Sequence, residues 1–298
     1  MALQKGEVNF IFTDDRGADS IDIEAMNRLA DSGKYQIIRS EPMNTKMIVA
    51  NSGKKDSPVH ETAVREAIWY SIDRDTISKQ MFYGRETAAD KLFSSNVPYA
   101  DVGLQKRGYD LEKAKRLLDE SGWIQENGGK IRRKAGVPLT MKLYYDVNSS
   151  SQKSESEWLQ NTLKKIGIGL ELAGEESTSI ANRRSTGDYD LLFNQTWGLA
   201  YDPQSTIAGF TARSSYYHAT SGIPQADALY KKIDEVMVSR DEEARKSLYA
   251  DILSTVHREA VFIPITNGSI TVVAPTRPQG VSFKQTQYES PFERMYFK

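Results

Sequence analysis

Trp197 and Tyr201 stand four residues apart in the stretch QTWGLAYDPQS (195–205), with Gly198 between them and Asp202-Pro203 after. Each aromatic offers a flat apolar face together with a hydrogen-bonding group at its edge. The preceding YDLLFN (189–194) has the composition of a buried strand. The pair therefore falls where a strand gives way to a loop, and Asp202-Pro203 sets the bend. Two readings fit these residues: aromatics tucked into the core beyond a strand end, or the wall of a ligand pocket.

A second polar and aromatic stretch follows in ARSSYYH (212–218). Arg213 can grip a carboxylate with two parallel N–H groups, Tyr216 and Tyr217 supply rigid contact area, and the His218 imidazole can ligate a divalent metal. The same residues also suit an ordinary surface loop, and the chemistry alone does not separate the two readings.

The other candidates favour structural roles. Asp73 and Asp75 in SIDRDT are a carboxylate pair on paper, but the spacing predicts a helix cap. His257 lies within an amphipathic helical pattern and reads as structural, while His60 sits before a helix near a turn and reads as solvated. Three histidines so scattered do not form a metal cage by themselves. There is no glycine-flanked serine elbow, Walker loop, GxGxxG fingerprint or HExxH motif. Cysteine is absent, which excludes disulfides, zinc–thiolate sites, iron–sulfur clusters and thiol nucleophiles.

The 39 basic and 40 acidic side chains nearly cancel, so no strongly basic face for nucleic acid or anionic lipid is implied. With 298 residues there is room for one large or two medium domains. Mean hydropathy is −0.55, and no apolar run reaches the ~18 residues of a bilayer span. The start, MALQKGEVNF, lacks the charged and apolar regions of a signal peptide, so either the protein is cytoplasmic or the natural start lies upstream.

The elements that must position these residues alternate between the two periods. GEVNFIFT, YQIIRS, KMIVANS, PLTMKLYYD, IGLELAGE, YDLLFN, AVFIPI and SITVVA read as strands. IDIEAMNRLADSG reads as a helix closed by Gly33. Val64, Ala67, Ile68, Ser71 and Ile72 form one helical stripe, and a further helix is expected over SIDRDTISKQMFYG. Asp110 is expected to cap a helix that buries Leu111, Ala114, Leu117 and Leu118. Trp158, Leu159, Thr162, Leu163 and Ile166 form the stripe of the next helix, which stops at Gly167. A helix-like stretch lies near Ile180–Arg184. Two more helices carry Leu229, Ile233 and Val236 or Met237, then Leu248, Ile252 and Val256. NSGKKDSP suits a crossing between lobes, and the tail PFERMYFK reads as loosely ordered. This order argues for an α/β fold, in which ligands sit beyond the carboxyl ends of the strands.

Taken together and in this order, VREAIWYSIDRDTI, LFSSNVPYADVGL, YDLEKAKRLLDESGW, GEESTSIANRRSTGDYDLLF, TWGLAYDPQS and LYADILSTVHREAVFIPI carry a resemblance. The chain resembles the C-terminal three-fifths of extracytoplasmic solute-binding proteins of the oligopeptide/nickel class (solute-binding protein family 5), and within it the metal-chelate-binding members. The resemblance implies an α/β, two-lobed fold of the periplasmic-binding-protein kind (type II). Lobe 2 would be near complete over 52–265, with 1–51 and 266–298 as partial lobe 1. It implies the substrate-binding component of an ABC importer, not an enzyme, capturing nickel or another transition metal inside a small chelator or opine-type metallophore. Trp197 and Tyr201 would line the cleft, with Arg213, Tyr216 and Tyr217 as further ligand contacts and His218 as the metal-contacting histidine. Gln204 stands where nickel-type relatives often carry histidine. The expected partner is a membrane permease, with no nucleic acid and no intrinsic cofactor, in a monomeric protein. Its place would be extracytoplasmic, in the periplasm or lipid-anchored on the outer face of the membrane, and its signal segment would lie outside this chain. The rivals are a di- or oligopeptide receptor of the same class, a hydrolase working through Asp202 or His218, and a lobe that binds nothing tightly by itself.

Overall fold

The computed structural model describes residues 2–13, 23–126, 129–196, 203–284 and 291–297. Its main sheet contains β1 (Ile11–Thr13), β2 (Tyr35–Ala50), β3 (Thr87–Ala88), β4 (Thr140–Asp146), β5 (Gly169–Glu175), β6 (Leu191–Gln195) and β7 (Phe262–Pro275). The spatial order is β1-β7-β2-β6-β4-β5, with β3 also paired to β7. The β4–β5 and β4–β6 ladders are parallel, whereas β2, β7, β1 and β3 pair antiparallel with their neighbours and β2 meets β6 antiparallel.

β2 and β7 depart from the pattern expected of the sequence. YQIIRS and KMIVANS, expected as separate strands, form one strand of 16 residues; AVFIPI and SITVVA join into one of 14. The polar stretches between them stay in the ladder because the β2–β7 register shifts between Arg39 and Pro42, between Pro42 and Asn44, and between Lys46 and Met47. A bulge takes up an unpaired residue and tolerates the missing N–H of Pro42, so the strand bends instead of ending.

Those shifts divide the structure. Beyond them, Met47–Ala50 and Phe262–Pro264 join the larger α/β layer stack. Before them, Tyr35–Arg39 and Thr271–Pro275 pair with each other, and β1 adds at Thr271–Val273. There Leu3, Met26, Leu29 and Val273 form a small separate core under α1 (Ile23–Asp31).

The larger part has helices on both sheet faces. α2 (Thr62–Tyr70), α3 (Leu111–Glu120) and α4 (Ser150–Lys164) cover one face. α5 (Ser177–Thr186), α6 (Ala226–Val238) and α7 (Glu242–Arg258) cover the other. Strand alternation decides the sides: Ile48 and Ala50 enter the first core, Met47 and Val49 the second. The expected helical stripes face the cores, with Leu111, Leu117, Trp158 and Leu248 only partly buried. Val64, Ala67, Ile68, Ser71 and Ile72 are all essentially inaccessible, as are Leu159, Thr162, Leu163 and Ile166. Leu229, Ile233, Val236, Ile252 and Val256 fill the second core. The caps also stand as expected, since Asp110 accepts from Lys113 N–H at 2.8 Å and Asp73 accepts from Thr76 N–H at 3.0 Å.

Chain order adds a functional constraint. From β4 the chain crosses over one face through α4 to β5, then over the other face through α5 to β6. Because β5 and β6 flank β4 on opposite sides, the switch in winding falls at β4. Such a switch opens a crevice at the carboxyl ends of the strands, here Asp146, Glu175 and Gln195. Among the described residues no helix is long and apolar enough to cross a membrane.

Candidate functional site

The loop with the two spaced aromatics springs from the carboxyl end of β6. Trp197 and Tyr201 themselves, with Asp202, lie outside the described residues. The root of their loop is well defined. Thr196 is 2% exposed; its N–H donates to the Thr45 carbonyl at 2.9 Å, and its Oγ1 accepts from the Thr45 N–H, also at 2.9 Å. Tyr216 closes the other side, its hydroxyl donating to the Gln195 carbonyl at 2.8 Å. Thr45 sits beside the β2 register shift, so the loop is rooted where the two crossing strands bend.

Three consecutive residues of the second candidate stretch go three ways, because a short helix at Tyr217–Thr220 turns each by about 100°. Tyr216 is a core residue, 1% exposed, stacked edge-on to Phe210 and Phe262; burial pushes its hydroxyl pKa up and keeps it a donor. It is packed in the core and holds the Gln195 carbonyl instead of forming an open wall. Tyr217 is half-buried and stacks on Tyr230 at 6.1 Å, while the exposed Arg213 guanidinium lies 5.0 Å over the Tyr217 ring. No ion pair engages Arg213 among the described residues, so this cation on an aromatic shelf is open to solvent.

His218 turns elsewhere. Its Nε2 lies 3.2 Å from the Ser185 carbonyl, and its own carbonyl accepts from Gly53 N–H at 3.0 Å. Its ring packs on Gly187, at φ +80°, where an added Cβ would stand 2.7 Å from Nδ1. Gly187 precedes β6, so His218 lies by the start of that strand and the aromatic loop leaves its end. Five residues of strand, or about 16 Å, separate the two ends. The structure therefore places the His218 imidazole beside Ser185 and Gly187, at the start of β6 and away from the loop root.

The other two histidines are also built in. His257 is buried, with Nε2 2.8 Å from the Gln105 carbonyl and its ring edge-on to Trp69 at 4.9 Å. Burial first, and the Arg107 cation second, lower its pKa to about 4. His60, expected to be solvated, is instead half-buried with Nδ1 2.5 Å from the Ser52 carbonyl. Among the described residues no group of three or more His, Cys, Asp or Glu is placed to hold a metal ion.

At the ends of the parallel strands lies a charged cluster that sequence spacing did not single out. Arg183 on α5 makes two parallel bonds of 2.7 Å to Glu175 at the end of β5, a third of 2.5 Å to Asp188, and stacks over Tyr144 at 4.3 Å. The paired guanidinium holds Glu175 below the usual carboxylate range. A polar groove lined by Thr178, Ser179 and Asn182 runs alongside. Thr45 and Thr196 were likewise missed. Thr196 touches the aromatic motif in sequence, but its partner lies 151 residues away and no local signal names it.

Compared with protein families, residues 1–217 match the model of the bacterial extracellular solute-binding proteins, family 5 middle region. The chain belongs to this family. Across 296 residues it is 32% identical to the nickel-binding periplasmic protein of Escherichia coli, covering 99% of this chain and 56% of that protein. The chain thus spans little more than half the length of such a relative. Among solved family structures, NikA from Brucella suis in complex with Fe(III)-EDTA superposes over the full chain with a TM-score of 0.93 at 36% identity, covering 59% of that molecule. The oligopeptide-binding protein AppA from Bacillus subtilis, in complex with a nonapeptide, superposes with a TM-score of 0.80 at 18% identity, which speaks for a shared fold. The α/β architecture is therefore that of the family 5 solute-binding proteins.

Proposed function

We propose that this family 5 chain is the capture component of an ABC importer and takes a transition-metal ion, nickel foremost, already wrapped in a small organic chelator. The observation that carries the reading is the loop root at Thr45–Thr196. It fixes the start of the aromatic loop at the carboxyl end of β6, beside the bend in the two crossing strands. A ligand held there would lie between the two halves that those strands join. Hinge closure around it would give the permease a distinct bound form to recognise.

The chemistry available suits a chelate. A chelated ion brings most of its own ligands, so the protein has to supply flat faces and cations instead of a cage. Trp197 and Tyr201 are assigned the flat walls, Arg213 on its Tyr217 shelf a carboxylate contact, and Tyr216 the support of the loop. His218, turned toward Gly187, is given no part in coordination. The likeness to a nickel-binding protein and to a structure holding Fe(III)-EDTA supports the metal-chelate class over peptide. Action outside the cytoplasm follows from the same membership.

Calorimetry tests the reading by comparing free Ni²⁺, Ni²⁺ with histidine, an opine–Ni²⁺ complex and a peptide pool. The comparison is made on this chain and on a form extended to the length of its relatives. Chelate binding is expected in the extended form, weaker in this chain, and reduced at least tenfold by Trp197→Ala or Tyr201→Ala. Saturable heat from the peptide pool alone would replace the metal chelate with peptide as the ligand.

A further inference from the structure

The segment between the end of the Ile77–Met81 helix and β3 carries three side chains, those of Tyr83, Arg85 and Glu86, that reach into both halves of the structure. Glu86 is 9% exposed. Its Oε1 receives Lys46 Nζ at 2.5 Å and its Oε2 receives the Thr266 hydroxyl at 2.5 Å. Lys46 and Thr266 are register partners on β2 and β7, and the β2 register shift follows Lys46 directly. Glu86 thus ties together both crossing strands at the bend. Ser78 Oγ holds the Glu86 carbonyl at 2.6 Å, and β3 adds ladder pairs Thr87–Asn267 and Ala88–Thr266.

Arg85 and Tyr83, on either side of Gly84, face the other way. Arg85, 8% exposed, donates to Met26 Sδ at 3.2 Å and to Asn27 Oδ1, both on α1 of the smaller half. Tyr83 is left-handed at φ +51° and its hydroxyl reaches Glu24 at 3.4 Å, while Arg39 bonds the Gly84 carbonyl at 3.5 Å. A left-handed non-glycine residue at such a turn is held there by its surroundings. One short segment therefore grips α1 on one side of the bend and the crossing strands on the other.

We propose that Tyr83–Ala88 is a hinge brace: Glu86 clamps β2 to β7 on the larger side, Arg85 anchors α1 on the smaller side, and together they set the angle between the halves. The inference rests on the two-lobed capture reading for its purpose, but not for its test. With Glu86 in place, bending is confined to residues 40–45 and 267–270, on the smaller-half side of the Lys46–Thr266 pair, where two of the three β2 register shifts lie. Without it, the mobile stretch lengthens into the larger half.

Because the chain has no cysteine, paired spin labels can be introduced without background. Labels at Asp31→Cys on α1 and Glu157→Cys on α4, both exposed, report the angle, and labels at Glu157→Cys and Val238→Cys report the larger half alone. Pulsed dipolar spectroscopy on the ligand-free protein is expected to give a broader, shifted Asp31–Glu157 distance distribution in Glu86→Gln and in Arg85→Gln. The Glu157–Val238 distribution should not change in either variant. An unchanged inter-half distribution in folded variants overturns the brace, as does equal broadening of both label pairs. If Glu86→Gln does not fold, the more peripheral Arg85→Gln decides. No ligand enters the measurement, so its failure is distinct from a failure of the chelate reading, which only the calorimetry tests.

Discussion

Thr45 and Thr196 exchange two hydrogen bonds of 2.9 Å: each backbone N–H is satisfied by the other residue, one through a carbonyl and one through a hydroxyl. Both residues are inaccessible to solvent, at 1% and 2% exposure. A buried N–H without a partner costs about 1–3 kcal/mol. Thr196→Val keeps the shape and removes the acceptor for Thr45, so urea unfolding is expected to show a loss in that range. Thr196→Ser, which retains the oxygen, should recover most of it. Because Trp197 follows at once, the valine variant is also expected to weaken chelate binding in the extended protein.

The pH dependence of stability should carry a signature of His257. Its folded pKa, about 4, lies below the ordinary imidazole value of 6.5 because burial and then Arg107 disfavour the cation. Between those two values the unfolded chain binds a proton that the folded chain does not. Stability from this group is therefore full above pH 6.5 and is lost as pH falls toward 4. His257→Gln, which can still donate to the Gln105 carbonyl, is expected to flatten the fall across this window. An unaltered slope in denaturant titrations at stepped pH would contradict the assignment.

Helix capping offers a local test of the fold. Asp110 accepts the Lys113 N–H at 2.8 Å at the start of α3, whose Ala114 and Leu118 are fully buried. Asp110→Ala is expected to cost about 0.5–2 kcal/mol, and Asp110→Asn much less. Chemical denaturation of the two variants, side by side, measures the difference.

Among the described glycines, Gly222 has the least room for a side chain. A Cβ there would stand 1.9 Å from the Ser52 carbonyl oxygen, and the Gly222 N–H already donates to Ser52 Oγ at 3.1 Å. Backbone cannot yield as a flexible side chain can. Gly222→Ala should therefore exceed the ~1–3 kcal/mol typical of overpacking and lower the melting temperature sharply. A melt within a degree or two of the parent would show that the corner can shift.

Much of this protein was legible in the chain because period and caps are local properties. The stripe Val64, Ala67, Ile68, Ser71, Ile72 repeats at helical spacing, and it is buried because one face of any such helix must leave water. Asp110 and Asp73 cap helices because an aspartate can reach an N–H three residues on. Tertiary pairing decided the rest. Pro42 and Gly268 fall between stretches expected as separate strands, yet β2 and β7 run through them because each strand offers the other a bulged register. Tyr216, Tyr217 and His218 are adjacent in sequence and share an aromatic, polar character. A turn of helix sends the first into the core, the second to a surface shelf and the third to Gly187. Lys46, Glu86 and Thr266 have no sequence relation to one another, and only the crossing of two long strands makes them neighbours. The chain by itself determined which faces are apolar, where helices begin and which family the protein belongs to. Contacts across 40 to 180 residues decided how the aromatic loop is rooted and which residues brace the bend, since hydrogen bonds and ion pairs act over a few ångströms of space and carry no mark along the sequence.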